Sequence, residues 1–338
     1  GNSHDGKIDT GATMSAAKAP SALQVAVLDD YQGIATELAD WSALPAGSTL
    51  RSFRDHLSDE AALIARLAPF DVIVAMRERT PFPRTLLAQL PQLRLLVTTG
   101  LRNVAIDLRA AAELGVTVCG TEGLPYPTAE LTWGLILALT RHIPAEDRAL
   151  REGRWQTTVG RGLQGKTLAV LGLGRLGTQV ARIGSAFGMH VIAWSPNLTD
   201  ARACAVGATY VERDELFRRA DVLTIHLVLS ERTQGIVGAG ELALLRPGAL
   251  LINTSRGPLV DERALVAALE RHMLGGAGLD VFEREPLPAE HPLLHAPNTV
   301  LTPHLGYVTI ETYRIFYTQA LEDILAYVAG QPLRVLTP

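Results

Sequence analysis

Short apolar runs alternate with segments of helical spacing from residue 23 onward. Runs at 23–28, 48–53, 71–76, 93–98 and 116–119 read as strands, the third (D-V-I-V-A-M) as a fully buried one. Helical spacing covers 59–67, with Ser58 as the candidate cap, and 107–114. Pro125 and Pro127 then break the chain, and Thr128 is a candidate cap for a long apolar helix over 129–143 that Pro144 stops or kinks. The polar, Arg-rich stretch 145–155 reads as a surface connector. A second series of strands follows at 167–171, 190–194, 222–226, 249–253, 276–281 and 299–301, and an amphipathic helix at 311–329 closes the chain. Strands separated by helices predict parallel βαβ units. The expected fold class is therefore α/β, with two doubly wound parallel-sheet domains. One domain covers 22–120 and the other 121–304. The last helix comes after the second sheet is complete, so 305–338 is assigned back to the first domain. The cleft between two such domains is a preferred place for an active site.

The stretch 167–180 organises the rest. An apolar run ends in a turn in which Gly172, Gly174 and Gly177 spell G-x-G-x-x-G, and a helical pattern follows. The first glycine permits a tight turn, the second lets backbone approach a pyrophosphate, and the third lets helix pack on strand. Free N–H groups at the helix start then meet the phosphate. The alternative is an ordinary strand–helix turn with no ligand. The strand before and the helix after favour a dinucleotide site.

Composition narrows the class. The 338 residues suit two domains of ordinary size, and 47% apolar with 20% charged residues is globular usage. A net charge of −4 gives no reason to expect nucleic acid or an anionic membrane as partner, and no apolar run is long enough to span a bilayer. Cys119 and Cys204 lie far apart without metal-ligand spacing and read as small core residues in a reducing compartment. Residues 1–13 lack hydrophobic periodicity and read as a non-native leader. Met14 is the expected native start, and no secretory signal follows it. A cytoplasmic location is expected.

Ligands bind at the carboxyl ends of strands in an open parallel sheet. Four polar groups occupy such ends in the second series: Asn253 to Gly257 (N-T-S-R-G), Asp280, Glu285 and His304. Arginine offers a fixed fork that matches a carboxylate, and its charge polarises an adjacent ketone. Histidine gives or takes a proton near neutral pH, and a nearby carboxylate favours its charged form. Arg256, Glu285 and His304 thus form a complete set for hydride transfer to a 2-keto acid, with the hydride carried by a cofactor. Singly, each is more often a salt-bridge partner or a structural residue. Their shared place at strand ends after a nucleotide motif favours chemistry.

With these motifs in order, the sequence resembles the D-isomer-specific 2-hydroxyacid dehydrogenase family from about residue 23 to 333. The resemblance rests on G-L-G-R-L-G at 172–177, N-T-S-R-G at 253–257, L-D-V-F-E-R-E-P at 279–286 and P-H-L-G at 303–306. It implies a flavodoxin-like substrate domain made by both chain ends and a Rossmann cofactor domain. It implies that Arg256 binds the substrate carboxylate and carbonyl, that His304 is the acid/base, and that Glu285 pairs with His304. Asp280 would hold the nicotinamide carboxamide, and Arg175 and Leu176 would contact the pyrophosphate. Thr254 and His226 are cofactor-wall candidates. A homodimer through the cofactor domains, with the 129–143 region in the contact, is also implied.

The first domain matches less tightly. The family's carboxylate-binding loop corresponds to 99–103, where Gly100 is followed by Leu101 and Arg102 at positions that often hold a glycine. Arg77, at another strand end, is a candidate second substrate anchor, with surface pairing to Glu78 as the alternative. Tyr307 stands where smaller residues are frequent, and either it or Tyr313 could narrow the pocket or be packed core. The second strand of the cofactor domain ends in W-S-P-N at 194–197, with no acid to hold ribose hydroxyls. Ser195 and Asn197 can hydrogen-bond a ribose hydroxyl or a phosphate, and Arg202 is the nearest cation. NAD(H) is slightly favoured over NADP(H). The expected activity is interconversion of a small 2-keto acid, such as glyoxylate or hydroxypyruvate, and its D-2-hydroxy acid. Phosphoglycerate, formate or phosphite oxidation is the enzyme alternative. Against the first stands the chain's end soon after its last helix, where such enzymes often carry a regulatory domain. An NAD(H)-sensing corepressor-like protein is the non-enzyme alternative.

Overall fold

The computed structural model describes residues 21–338, so the expected leader and native start lie outside the described residues. The chain forms two compact units. Among the described residues, one holds 21–122 together with Arg314–Pro338, and the other is Gly123–Tyr313.

The first unit is built from β1 (Gln24–Val27), β2 (Thr49–Ser52), α1 (Glu60–Leu67), β3 (Val72–Ala75), α2 (Arg84–Leu87), β4 (Leu95–Thr98), α3 (Leu108–Glu113) and β5 (Thr117–Cys119). Its five strands are all parallel, in the order β2-β1-β3-β4-β5. This is the flavodoxin-like arrangement, whose ligand crevice opens where the order reverses, between β1 and β3. β3 and β4 are buried at every position, as a strand covered on both faces requires. The caps are acidic. Asp59, not Ser58, caps α1 by accepting the Ala62 N–H, and Asp107 caps α3 by accepting that of Ala110. A carboxylate there pairs an otherwise unmet donor and also complements the helix dipole.

The second unit opens with α4 (Pro127–Thr140) and α5 (Ile143–Arg151). Pro127, not a side-chain cap at Thr128, starts α4, because proline suits the first helical position. The expected connector at 145–155 is largely helix instead. His142 turns the chain in a left-handed conformation, and Pro144 falls in the first turn of α5, where its missing N–H costs nothing. The strands and helices that follow are β6 (Thr167–Leu171), α6 (Arg175–Ala186), β7 (His190–Trp194), α7 (Asp200–Cys204), β8 (Thr209–Tyr210), α8 (Arg213–Arg219), β9 (Val222–Ile225), α9 (Ala239–Leu244), β10 (Leu250–Asn253), α10 (Glu262–Glu270), β11 (Gly276–Leu279) and β12 (Thr299–Leu301). The sheet order is β12-β11-β10-β9-β6-β7-β8, all parallel. Counted from β6, it contains the Rossmann order, with its reversal between β6 and β9. Alternate residues of β6 feed opposite cores: Ala169 and Leu171 join one, Leu168 and Val170 the other. Both faces are therefore covered.

The last helix, α11 (Ile310–Val328), starts in the second unit and continues into the first. The return to the first unit falls after Tyr313, not after His304 as expected. The reason is Asp280, whose carboxylate accepts the N–H groups of Leu305 and Gly306 and so fastens that segment to the second sheet. Cys119 is buried, but Cys204 is exposed, because the inward position of α7 belongs to Ala203. Among the described residues, no helix is long and apolar enough to cross a membrane.

Candidate active site

The glycine turn follows β6 at the reversal point of the second sheet. Gly172 has φ +97°, and a Cβ there would lie 2.4 Å from the His226 carbonyl oxygen after β9. A Cβ on Gly177 would lie 2.0 Å from the Gly172 carbonyl oxygen, so the first turn of α6 sits directly on the glycine loop. Gly174 differs. It is exposed, precedes α6, and a Cβ there would meet nothing within 4 Å. The first N–H groups of a helix have no intrahelical partner. Open space before the amides of Arg175, Leu176 and Gly177 is what a pyrophosphate requires, so these residues fit a dinucleotide.

The ribose end is less defined. Ser195 is half-buried and Asn197 exposed beyond β7. Gly174, Arg175, Arg182 and Arg202 share a surface cavity of about 630 Å³. His226 places Nε2 2.7 Å from Thr224 Oγ1, while its Nδ1 is shut off from solvent with no hydrogen-bond partner. Burial pushes this imidazole down to about 3, so it is neutral at physiological pH.

Asp280 is the hub of the polar cluster. It is fully buried at the end of β11 and accepts from Thr302 Oγ1 (2.7 Å), Leu305 N (2.6 Å) and Gly306 N (2.9 Å). Burial raises its carboxyl, against the pull of those hydrogen bonds. Its carbonyl accepts the His304 N–H at 2.9 Å. His304 itself has φ +55°, a left-handed conformation uncommon for a side-chain-bearing residue and typical of functional sites.

The His304 Nδ1 lies 2.6 Å from Glu285 Oε2, and Glu285 Oε1 accepts the Phe282 N–H at 3.0 Å. Both side chains are partly exposed. The carboxylate thereby fixes the orientation of the ring. The Tyr307 ring stands edge-on to His304 with centroids 5.5 Å apart, and Tyr313 lies beyond it at 6.3 Å.

Arg256 follows β10 on a loop organised by Asn253. The Asn253 amide donates to the Arg256 carbonyl and accepts the Ser255 N–H, while Ser255 Oγ donates to the Leu227 carbonyl. Arg256 Nη1 donates to its neighbour's carbonyl at 2.7 Å. A Cβ on Gly257 would lie 2.0 Å from the Phe282 carbonyl carbon. The Arg256 loop and the Glu285 loop therefore touch through bare backbone. Thr254 is buried, its hydroxyl 2.8 Å from that of Thr132 on α4. Thr302 and Thr132 carry no local signal in the sequence, since each acts through a partner distant in the chain.

The profile for the D-isomer specific 2-hydroxyacid dehydrogenase NAD binding domain matches residues 133–306. A glyoxylate reductase from Aeropyrum pernix is 40% identical over 256 residues, covering 73% of this chain and 76% of that protein. The chain belongs to the D-isomer specific 2-hydroxyacid dehydrogenase family. A D-3-phosphoglycerate dehydrogenase from Synechocystis is 36% identical over 278 residues, covering 81% of this chain, and the chain spans 50% of that protein's length. Among solved structures, a phosphoglycerate oxidoreductase from Vibrio cholerae is similar with a TM-score of 0.87 and 39% identity, over 91% of this chain and 99% of that one. The family's NAD-binding segment contains the glycine turn, Arg256, Asp280, Glu285 and His304.

The sequence-predicted residues fall into two groups. Those of the second unit are described above. Those of the first gather at the ends of β3 and β4. Arg77 has φ +48°; its N–H donates to Thr99 Oγ1 and its carbonyl accepts the Asn103 amide. Its guanidinium covers Gly100, 2.1 Å from where a Cβ would stand. Leu101 and Arg102 are exposed.

Proposed function

We propose that this protein reduces a small 2-keto acid to its D-2-hydroxy acid, and runs the reverse oxidation, with glyoxylate and hydroxypyruvate as the leading substrates. The observation that carries the reading is the 2.6 Å contact of Glu285 with His304 Nδ1, on a loop that touches the one bearing Arg256. A bound nicotinamide would supply the hydride. His304 Nε2 delivers the proton to the carbonyl oxygen in reduction and takes it back in oxidation. Glu285 stabilises the imidazolium, and Arg256 holds the carboxylate and polarises the carbonyl. Asp280 holds the carboxamide end of the cofactor; Thr254 and neutral His226 wall the same site. Gly174, Arg175 and Leu176 meet the pyrophosphate. Leu101 presents its backbone N–H to the substrate carboxylate, on a turn set by Gly100, whose own N–H is taken by Thr121 Oγ1. Arg77, at the reversal point of its own sheet, is a second anchor, and Arg102 and Tyr307 shape the space beyond.

The cofactor is NAD(H) by slight preference, with Ser195 and Asn197 on the ribose. Arg175 and Arg202 leave NADP(H) as the alternative. The protein works as a cytoplasmic homodimer. α4 is packed largely within its own unit, and the exposed apolar side chains Ile143, Leu150, Trp155 and Val159 lie just beyond it.

A phosphoglycerate-type reading draws on Arg77 and on the similarity to D-3-phosphoglycerate dehydrogenases. One experiment tests both. NADH and NADPH oxidation is followed with glyoxylate, hydroxypyruvate, pyruvate and bulkier keto acids, with 3-phosphoglycerate oxidation run alongside. Turnover of a small keto acid is expected. Turnover of 3-phosphoglycerate alone would favour the second reading, and cofactor binding without any turnover would defeat both.

A further inference from the structure

The C-terminal segment beyond α11 is tied into the first unit through Arg334, which pairs with two carboxylates of that helix. Arg334 has φ +48°, and its Nε donates to the Oδ1 of Asp323 at 3.0 Å. Asp323 is completely buried on α11. The same guanidinium donates to the Gln319 carbonyl at 3.2 Å and to Glu322 Oε2 at 2.9 Å. Three groups on one face of α11 thus hold a single arginine. A surface tail does not need a fully buried carboxylate to anchor it, because burying a charge is costly unless it is paired.

The backbone of Arg334 connects this pair to the substrate loop. Its carbonyl accepts the Gly120 N–H at 2.9 Å, and the Leu336 N–H donates to Val118 at 2.8 Å, so the tail runs beside β5. Thr121 then grips Gly100 from two sides. Its N–H donates to the Gly100 carbonyl and its hydroxyl accepts the Gly100 N–H, both at 2.9 Å. Gly120 presses on the same loop, since a Cβ there would lie 2.5 Å from the Gly100 oxygen. Gly100 has φ +86°, a conformation that depends on such support.

We propose that Asp323 and Arg334 are positioning residues that hold the Gly100–Leu101 backbone for the substrate carboxylate, through Gly120 and Thr121. The inference rests on the reading of that loop as the carboxylate site. Loosening the pair lets the loop sample conformations that cannot bind. Binding lost equally from ground state and transition state raises KM and leaves kcat unchanged.

The test compares wild type, Arg334→Ala and Arg334→Lys by steady-state kinetics with glyoxylate, NADH binding by fluorescence, and hydrogen exchange read by mass spectrometry. Arg334→Ala is expected to raise the keto-acid KM about tenfold, the scale of a charge-assisted hydrogen bond lost, with kcat and NADH affinity little changed. Exchange should quicken in peptides covering 98–104 and 119–122 while β1 and β3 stay protected. Arg334→Lys, which keeps the charge, should recover part of the KM. An unchanged KM, or faster exchange confined to 331–338, overturns the proposal. So does uniform loss of protection across the unit, which marks a merely structural pair. If wild type turns over no keto acid, the functional reading fails, and exchange at 98–104 still decides whether the pair controls the loop.

Discussion

The buried carboxylate of Asp280 accepts the backbone N–H of Gly306 through one oxygen, while its other oxygen takes Leu305 and Thr302. This side chain sets the path of the chain on both sides of His304. Asp280→Asn should therefore damage more than cofactor contact. An amide has one acceptor oxygen, so one buried N–H must face an NH2 group. A stability loss of about 1–3 kcal/mol is expected from that unmet donor. Urea unfolding measures it, and a drop in kcat should accompany it.

His304→Ala should lower kcat by roughly 10²–10⁴-fold, the usual contribution of a positioned proton donor. NADH affinity should change little, since the ring's partner in the structure is Glu285 and not the glycine turn. Glu285→Gln should lower kcat less, because the ring keeps a hydrogen-bonding neighbour and loses only the charge. Steady-state kinetics with a fluorescence titration of NADH separates the two effects. Equal loss of catalysis and cofactor affinity in His304→Ala would indicate a structural histidine.

Two glycines of one motif should answer differently to alanine. At Gly174 a Cβ enters open space, so Gly174→Ala should leave the melting temperature unchanged and weaken NADH binding. At Gly177 the Cβ would stand 2.0 Å from a backbone oxygen, so Gly177→Ala should cost stability, at least the ~1–3 kcal/mol of overpacking. Thermal unfolding beside cofactor titration distinguishes them.

His226 makes stability fall in acid. Its folded value of about 3 lies below the ordinary 6.5, so between these limits the unfolded chain binds a proton that the folded chain refuses. The stabilisation is complete above about pH 6.5 and is lost progressively as pH falls toward 3. Denaturant midpoints across this range should slope less in His226→Gln than in wild type.

Asp323 works in the opposite sense. Burial pushes it up to about 7 from 3.8, despite Arg334, and its Oδ2 is buried without a hydrogen-bond partner. The folded chain therefore retains a proton that the unfolded chain releases. Stability declines as pH rises from about 4 to about 7 and levels off above. Asp323→Asn should remove that slope, as read from the same midpoints.

Much of this was legible in the chain. The glycines at 172, 174 and 177 and the polar residues after β10, β11 and β12 are local signals, and short apolar runs alternating with helical spacing mark the two sheets. What was not legible depends on partners far along the chain. The helical character of 143–151 was hidden by Pro144, which reads as a stop until its place in a first turn is seen. Asp59 and Ser58 are both good caps, and backbone geometry chooses between them. The division after Tyr313 follows from contacts that Asp280 makes with Leu305 and Gly306, a separation of some 25 residues. Nothing local connects Asp323 with Gly100.

Arg256, Asp280, Glu285 and His304 all belong to one compact unit, while Arg77, Gly100, Leu101 and Arg102 belong to the other. On the proposed reading, reactivity and selectivity are thus written in separate parts of the chain. On that reading, mutations that remodel the loops after β3 and β4 should retune which acid is accepted without disturbing the pair of His304 and Glu285. Divergence toward new substrates is then open to small steps, each of which leaves a working oxidoreductase behind.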